Sequence, residues 1–344
     1  MKECIPEGKP TEVPSLKYNY VFLFAREGFL QTMFGKAFYR GAQTRVYRQA
    51  FRGGRLSQKL FRLHWAFRVN EILPLPFKSL WFSRIYKQDF SVKRPLCFVY
   101  LGGNSIRYDG GLTNYIRKAS PENRQVMLHL DLISKKCHYD YEIIRRKVDA
   151  AVTYDKAEAQ KYGIHWYPGR FYQRTLPQTE PKDFETDVYF LGNAKDRLPL
   201  IMGVYQKLQA KGLRCKFLLT GVPKESQTPL EGVHYIDGIS YEENLKLVQA
   251  SKCILEIGQR GSNAPTLRHS EAITYHRFLL SNCTDIKSSE YYIPETMSFF
   301  NSLDDIDLEL IEQDIPYEVF HQRNIDFSMD RFLQFLEQIL EEKE

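Results

Sequence analysis

Residues 256–282, EIGQRGSNAPTLRHSEAITYHRFLLSN, gather the chain's most suggestive chemical groups. An apolar run ends at Ile257, a loop of small polar residues follows, and a helical pattern then carries Thr266, Arg268 and Glu271. An arginine and a glutamate in the first turns of a helix, at the carboxyl edge of a sheet, stand where open α/β sheets bind nucleotides. The helix start offers unpaired N–H groups and partial positive charge to a phosphate. Glu271, one turn further in, can accept hydrogen bonds from the two hydroxyls of a ribose. Gln259 and Gly261 in the preceding loop complete this wall. Two further strand ends carry related groups. In GNAKDRL (192–198) Gly192 closes an apolar run, and Lys195 and Arg197 stand just before a helix, where cations suit a pyrophosphate. In LLTG (218–221) Gly221 lets a base or ribose approach the backbone. Each group alone also fits a cap or a turn. Their recurrence at successive strand ends favours a nucleotide-diphosphate seat.

Positioning these groups requires alternating strands and helices. Apolar runs at 18–25, 95–101, 124–133 and 149–155 alternate with helical patterns, and a second alternation starts at 187. This is the signature of parallel sheets. The stretch RTLPQTEPKDFET (174–186) is polar and holds two prolines, which makes it the expected linker. The expected organisation is a flexible tail (1–17), a Rossmann-like domain (18–173), the linker (174–186), a second Rossmann-like domain (187–325) and a C-terminal amphipathic helix (326–344). The two domains are expected to face each other across a cleft.

Composition narrows the class. A chain of 344 residues, 43% apolar and 26% charged, suits two globular domains. Its six cysteines are scattered without a CxxC pair, as in a reduced cytosolic protein. No apolar run approaches the roughly 20 residues that span a bilayer, and the polar N-terminus does not read as a signal peptide. Charge is uneven. Residues 1–100 hold 18 Lys/Arg against 6 Asp/Glu, while the whole chain is only +6. The basic first third predicts helices covering a sheet, with an anionic membrane surface as a further partner. The common nucleic-acid motifs are missing, so nucleic acid is not an expected partner.

The second half resembles the nucleotide-sugar-binding domain of GT-B glycosyltransferases. From about residue 74 onward the chain is similar to a family of bacterial glycosyltransferases of lipopolysaccharide or capsule synthesis. The resemblance is carried by LPLPFKSLWF (73–82), VTYDKAEAQKYG (152–163), DVYFLGNAKDRL (187–198), SYEENLKLVQASKCILEIGQRG (240–261) and PTLRHSEAITYHRFLLSN (265–282). It implies a GT-B-like α/β fold and transfer of a sugar from a nucleotide-diphosphate donor to a surface polysaccharide or lipid-linked glycan. The place would be the cytoplasm, or the inner face of the plasma membrane as a peripheral protein. It also implies that Glu271 binds the donor ribose, and it matches Arg268 to a diphosphate-binding cation in role. Many retaining members carry an earlier glutamate eight residues upstream; Asn263 stands there, so retention or inversion stays open. The C-terminal helix is expected to return to the first domain, as in relatives.

No cofactor is expected beyond the nucleotide-sugar substrate, since Gly192 does not begin a GxGxxG pattern. No metal is expected either. GT-B transfer normally relies on helix dipoles and Lys/Arg to stabilise the leaving diphosphate, and the chain is expected to lack the DxD motif of metal-dependent transferases, with His129-Leu130-Asp131 as the nearest cluster. An inverting transfer needs a general base in the first domain. Asp131 is the first candidate and His129 the second, both in HLD at a strand end, with Asp109 of the GGNSIRYDGG loop as the third. His129 reads equally as a core histidine and Asp131 as a cap. Rival readings are a polyol-phosphate transferase or a sugar-nucleotide epimerase on the same fold, or a non-catalytic scaffold binding nucleotide or lipid.

Overall fold

Short runs of apolar residues become strands buried along their whole length, the pattern of parallel sheets covered on both faces. LCFVYL at Leu96–Leu101 is buried throughout. The computed structural model describes residues 16–23, 46–48, 53–86, 94–102, 109–133, 141–170, 172, 174–323 and 325–342. The expected tail up to residue 15, residues 26–45 and 49–52 of the basic stretch, and the loop at 103–108 lie outside them.

In chain order the first elements are β1 (Asn19–Leu23), β2 (Val46–Arg48), α1 (Arg55–His64), α2 (Phe67–Ile72), α3 (Phe82–Tyr86), β3 (Leu96–Leu101) and α4 (Leu112–Ala119). They are followed by β4 (Arg124–His129), α5 (Tyr141–Arg145), β5 (Ala150–Thr153), α6 (Lys156–Tyr162) and β6 (His165–Trp166). Their strands form a six-stranded sheet in the order β2-β1-β3-β4-β5-β6. The pairs β1–β2, β1–β3, β3–β4 and β5–β6 are parallel.

The next elements are β7 (Thr186–Asn193), α7 (Leu198–Ala210), β8 (Cys215–Thr220), β9 (Val233–Tyr235), α8 (Tyr241–Gln249) and β10 (Ser251–Glu256). Then come α9 (Leu267–Thr274), β11 (Phe278–Ser281), β12 (Met297–Phe299), α10 (Glu309–Glu312) and α11 (Tyr317–Arg323). The second sheet has the order β12-β11-β10-β7-β8-β9 and is parallel throughout. The chain is thus α/β, with two Rossmann-like parallel sheets, as the alternation predicts. Strand order reverses between β1 and β3 in the first sheet and between β7 and β10 in the second. At such points the connections leave in opposite directions and open a crevice at the carboxyl ends.

The described residues divide into two compact units, one reaching Ala151 and resuming at Ser328, the other Val152–Phe327. The division falls inside β5. The last helix, α12 (Met329–Glu341), therefore belongs to the first unit. Its buried face of Phe332, Leu333, Leu336, Ile339 and Leu340 follows helical spacing. One polar side chain fixes its register. Glu337 accepts hydrogen bonds from the backbone N–H of Lys17 (3.1 Å) and Tyr18 (3.2 Å) and from the buried Tyr20 hydroxyl (2.7 Å). Removing a carboxylate that serves buried donors costs about 1–3 kcal/mol. Glu337→Ala should lower stability by that amount in chemical denaturation, and Glu337→Gln, which keeps an acceptor for Tyr20, by less. Equal stability of Glu337→Ala and the parent chain would remove this role.

Candidate functional site

Two adjacent strands, β7 and β10, end where the order of the second sheet reverses. β7 turns into α7 through Lys195, whose φ of 42° lies in the left-handed region. The Lys195 N–H donates to Asn193 Oδ1 at 3.1 Å, and its side chain is exposed. Arg197 spans the reversal point: its guanidinium donates to the carbonyl of Asn193 on one side and of Ile257 on the other. Arg197 thus ties the two strand ends together. Gly192 has a packing reason of its own. A Cβ there would lie 2.8 Å from the Phe190 ring, which projects from the same face of β7. Gly221, at φ 68°, ends β8 against the Asn193 side chain, which a Cβ would meet at 2.8 Å.

The other wall is the start of α9. Thr266 caps it, its hydroxyl accepting from the Arg268 N–H at 3.1 Å. The Thr266 N–H donates in turn to Glu256 Oε1 at 2.6 Å, and the Ser281 hydroxyl donates to Glu256 Oε2 at 2.6 Å. Burial raises the Glu256 pKa, and these two donors pull it back. Glu256 so holds the ends of β10 and β11 and the loop before α9 in one arrangement.

Arg268 and Glu271 form an ion pair one helical turn apart. Glu271 is fully buried, whereas the Arg268 side chain retains 18% of its exposure. Glu271 Oε1 accepts from the Tyr241 hydroxyl at 2.9 Å and from Asn244 Nδ2 at 3.2 Å, both on α8. The second oxygen takes the Arg268 guanidinium. Arg268 also donates to Asn244 Oδ1 at 3.1 Å and to the Leu191 carbonyl of β7 at 3.4 Å. The Tyr189 hydroxyl donates to Asn244 Oδ1 at 3.0 Å. Tyr189, Tyr241 and Asn244 belong to this network and are not among the residues the sequence singles out. For Asn244 the signal is a polar residue on a buried stripe, with Leu245 and Val248 beside it at helical spacing. Gln259 and Gly261 lie exposed on the loop above, where the Ser262 N–H closes a turn on the Gln259 carbonyl at 3.0 Å and Gly261 takes φ 84°.

The structure therefore gathers Lys195, Arg197, Gly192 and Gly221 at one side of the reversal point and Thr266, Arg268 and Glu271 at the other. The base candidates of the first unit occupy three unlike settings. Asp131 is exposed just beyond β4. His129, at the end of β4, is buried, and burial brings its pKa down to about 4. That is far from the near-neutral value suited to a base at physiological pH. Asp109 is buried at the start of α4 and accepts from the Gly111 N–H (3.2 Å), the Thr113 N–H (3.0 Å) and the Thr113 hydroxyl (2.7 Å). Burial pushes its pKa up, but the Lys147 ammonium at 2.8 Å and these donors outweigh it and hold the carboxyl below its ordinary range. One DxD spacing does occur, at Asp305–Ile306–Asp307. Asp305 spends its oxygens on the backbone N–H groups of Asn301 (3.0 Å) and Ser302 (2.6 Å). Those donors hold its pKa at about 2.

No family model matches this chain, and no curated protein does. Among solved structures it is similar to a glycosyltransferase from Rickettsia africae ESF-5, at 9% identity over 95% of this chain and 98% of that one, with a TM-score of 0.48. It is also similar to the glycosyltransferase VinC in complex with dTDP, at 10% identity over 94% of this chain and 99% of the other, TM-score 0.45. A third is an alpha-glucosyltransferase in complex with UDP and a 13-mer DNA containing a central A:G mismatch, at 11% identity over 71% and 80%, TM-score 0.48.

His269, on α9 beside Arg268, is buried edge-on to Tyr291 (6.4 Å) and Phe327 (5.8 Å). Burial lowers its pKa from 6.5 to about 4. Between these values the unfolded chain binds a proton that the folded chain refuses, so stability falls as pH drops from 6.5 to 4 and levels off below. The expected loss is on the order of 1–3 kcal/mol for each such histidine. In His269→Phe, urea denaturation at pH 7 and pH 5 should show a smaller difference than in the parent chain. An identical difference would place the acid sensitivity elsewhere.

Proposed function

We propose that the chain is a glycosyltransferase of GT-B type, moving a sugar from a nucleotide-diphosphate-sugar donor to a surface polysaccharide or lipid-linked glycan, as in lipopolysaccharide or capsule synthesis. One observation supports this most. A guanidinium is held by a buried carboxylate at the crevice where β7 and β10 part, with the exposed Lys195 on the opposite lip. In this reading Lys195, Arg268 and the start of α9 receive the diphosphate, and their charge stabilises it as it leaves, without a metal. Gly221, Gln259, Gly261 and Thr266 border the base and ribose. An incoming diphosphate draws the Arg268 guanidinium outward, and the released Glu271 oxygen then accepts the ribose hydroxyls. Arg197 and Gly192 keep the strand ends in place. Of the base candidates Asp131 is the one proposed, because it is exposed while Asp109 is committed to α4 and His129 is a weak base. The acceptor hydroxyl gives its proton to Asp131 and its oxygen bonds the sugar's anomeric carbon, as the bond from that carbon to the diphosphate breaks.

A thermal-shift screen against UDP-, GDP-, CMP- and dTDP-sugars should find one base that raises the melting temperature. With that nucleotide, Glu271→Gln should weaken calorimetric binding roughly ten-fold while binding of inorganic pyrophosphate stays within about two-fold, about 1.4 kcal/mol falling on the nucleoside part alone. Equal weakening for both ligands would reduce Glu271 to an anchor for Arg268. Asp131→Asn should cut turnover by roughly two orders of magnitude or more and leave donor affinity alone; unchanged turnover removes Asp131 as the base.

We also propose that the first unit rests on an anionic membrane surface. No helix among the described residues is long and apolar enough to cross a membrane. Along α1 and the turn after α2, however, Leu56, Leu60, Leu63, Ile72, Leu73, Phe77 and Leu80 all face solvent, Ile72 at 88% and Phe77 at 73% exposure. Arg55, Lys59, Arg62, Arg68 and Arg84 are exposed among them. The outward leucines belong to an ordered segment. Trp81 Nε1 donates to His64 Nδ1 at 2.8 Å, and His64 Nε2 donates to the Pro76 carbonyl at 2.8 Å. The buried Lys78 ammonium donates to Asn70 and to the Leu75 carbonyl. Apolar side chains ringed by cations suit an anionic interface. Sedimentation with phosphatidylglycerol vesicles should exceed that with phosphatidylcholine vesicles, weaken with salt and fall in Leu56→Asp/Leu60→Asp. Binding indifferent to salt and to lipid charge would refute it.

A further inference from the structure

At the far end of α9 from the crevice, three ligand atoms converge. His276 Nδ1 lies 2.9 Å from Glu180 Oε1, and His321 Nε2 lies 3.1 Å from the same oxygen. All three atoms fall within 4.8 Å of one another. We infer that Glu180, His276 and His321 form a binding site for a zinc-class divalent cation.

The donor set fits that class. Two imidazoles and a carboxylate suit Zn²⁺ and its neighbours, whereas Mg²⁺ and Ca²⁺ prefer oxygen alone. Zinc bonds of about 2.0–2.1 Å in a tetrahedron put ligand atoms about 3.3 Å apart. The two observed separations to Glu180 need only a few tenths of an ångström of widening. Three protein ligands leave a fourth position for solvent, and access exists, since the His321 side chain is 52% exposed.

The three ligands come from separate elements, each fixed independently. His276 follows α9 in the left-handed region, at φ 53°. Its ring stacks on Phe320 at 4.7 Å with planes 6° apart, and Phe320 precedes His321 on α11. Glu180 is pinned on both sides. The Thr179 N–H donates to Gln249 Oε1 at 2.9 Å, and the Tyr317 hydroxyl donates to the Pro181 carbonyl at 2.9 Å. Arg277 joins the two backbones, donating to the carbonyls of His276 (2.9 Å) and Thr179 (3.1 Å). Such outer contacts orient ligands and strengthen metal binding. The Arg277 charge opposes a cation, and the Glu180 carboxylate offsets it.

The cluster also crowds acceptors. The Gln178 amide nitrogen touches both His276 Nδ1 and Glu180 Oε1. An imidazole nitrogen that accepts from Gln178 has its one lone pair engaged, so a cation bound there takes the place of that amide. Once bound, it would cross-link the segment before β7, the end of α9 and α11.

Calorimetric titration of the chelator-treated, full-length chain with ZnCl₂ tests the site, with MgCl₂ as the comparison. One equivalent of Zn²⁺ should bind, Mg²⁺ should not, and Zn²⁺ should raise the melting temperature. His321→Ala and Glu180→Gln, both at solvent-exposed positions, should keep the metal-free melting temperature and weaken Zn²⁺ binding by roughly ten-fold or more. Zn²⁺ affinity unchanged in both variants, or no Zn²⁺ binding by the parent chain, would overturn the site.

Discussion

The ion pair between Arg268 and Glu271 is the contact around which the second sheet's crevice is organised. A fully buried carboxylate is several kcal/mol unfavourable on its own, so every neighbour must supply a donor or a charge. Glu271 receives three, from Tyr241, Asn244 and Arg268. Those donors sit on two helices, α8 and α9, and Arg268 reaches on to the β7 carbonyl of Leu191. One buried charge thereby fixes the spacing of two helices and a strand at the point where strand order reverses. Arg197 and Glu256 act in the same way a few residues off, the first across β7 and β10, the second across β10 and β11. The crevice has rigid walls because polar groups under it have nowhere else to satisfy their hydrogen bonds.

The architecture was legible because it depends on pattern alone. Apolar runs of four to eight residues alternating with helical periodicity require a parallel sheet, whatever the individual side chains do. Pro199 at the start of α7 and Gly212 just past its end, at φ 73°, marked that helix for simple steric reasons. The roles of single residues were less legible, because they depend on partners distant in sequence. Gly192 stands at a strand end among the donor-site candidates, and a Cβ there would meet the Phe190 ring. Asp109 looked like a candidate base, and Lys147, 38 residues away, engages it. Asn244 was passed over as one polar residue among several in YEENLKLVQ, since the buried side of that helix is set by β7 and α9. Neither Glu180 nor His321 carries any local signal, because their association with His276 is created by the return of α11.

The aromatic content has a physical use in both units. Tyrosine brings a large apolar body with one polar atom, so it can cross a core and still reach a hydrogen bond. Tyr20 does so between β1 and α12, Tyr100 by donating to Gln125 at 2.7 Å, and Tyr205 by donating to the Glu231 carbonyl at 2.6 Å. The Tyr20 and Tyr205 contacts join elements that the strand ladder does not. Tyr20 and Tyr205 are thus ties between elements as well as filler of the core.

The buried pair has a further consequence. Replacing a buried ion pair by well-packed apolar residues is often neutral or stabilising, whereas removing one partner costs about 3–5 kcal/mol. The pair also holds a cation beside the end of β7, which the proposed donor site would use to bind an anion at little cost in freedom. A surface arginine would meet a phosphate from solvent and surrender most of its rotamer entropy, up to about 2 kcal/mol. The Arg268 guanidinium is already ordered by three acceptors, among them a carboxylate that a phosphate can replace in kind. Exchange of one anion for another at the same guanidinium alters the local charge balance far less than burying a new charge. Within the proposed donor site, the pair would therefore serve reversible binding of the diphosphate more than stability.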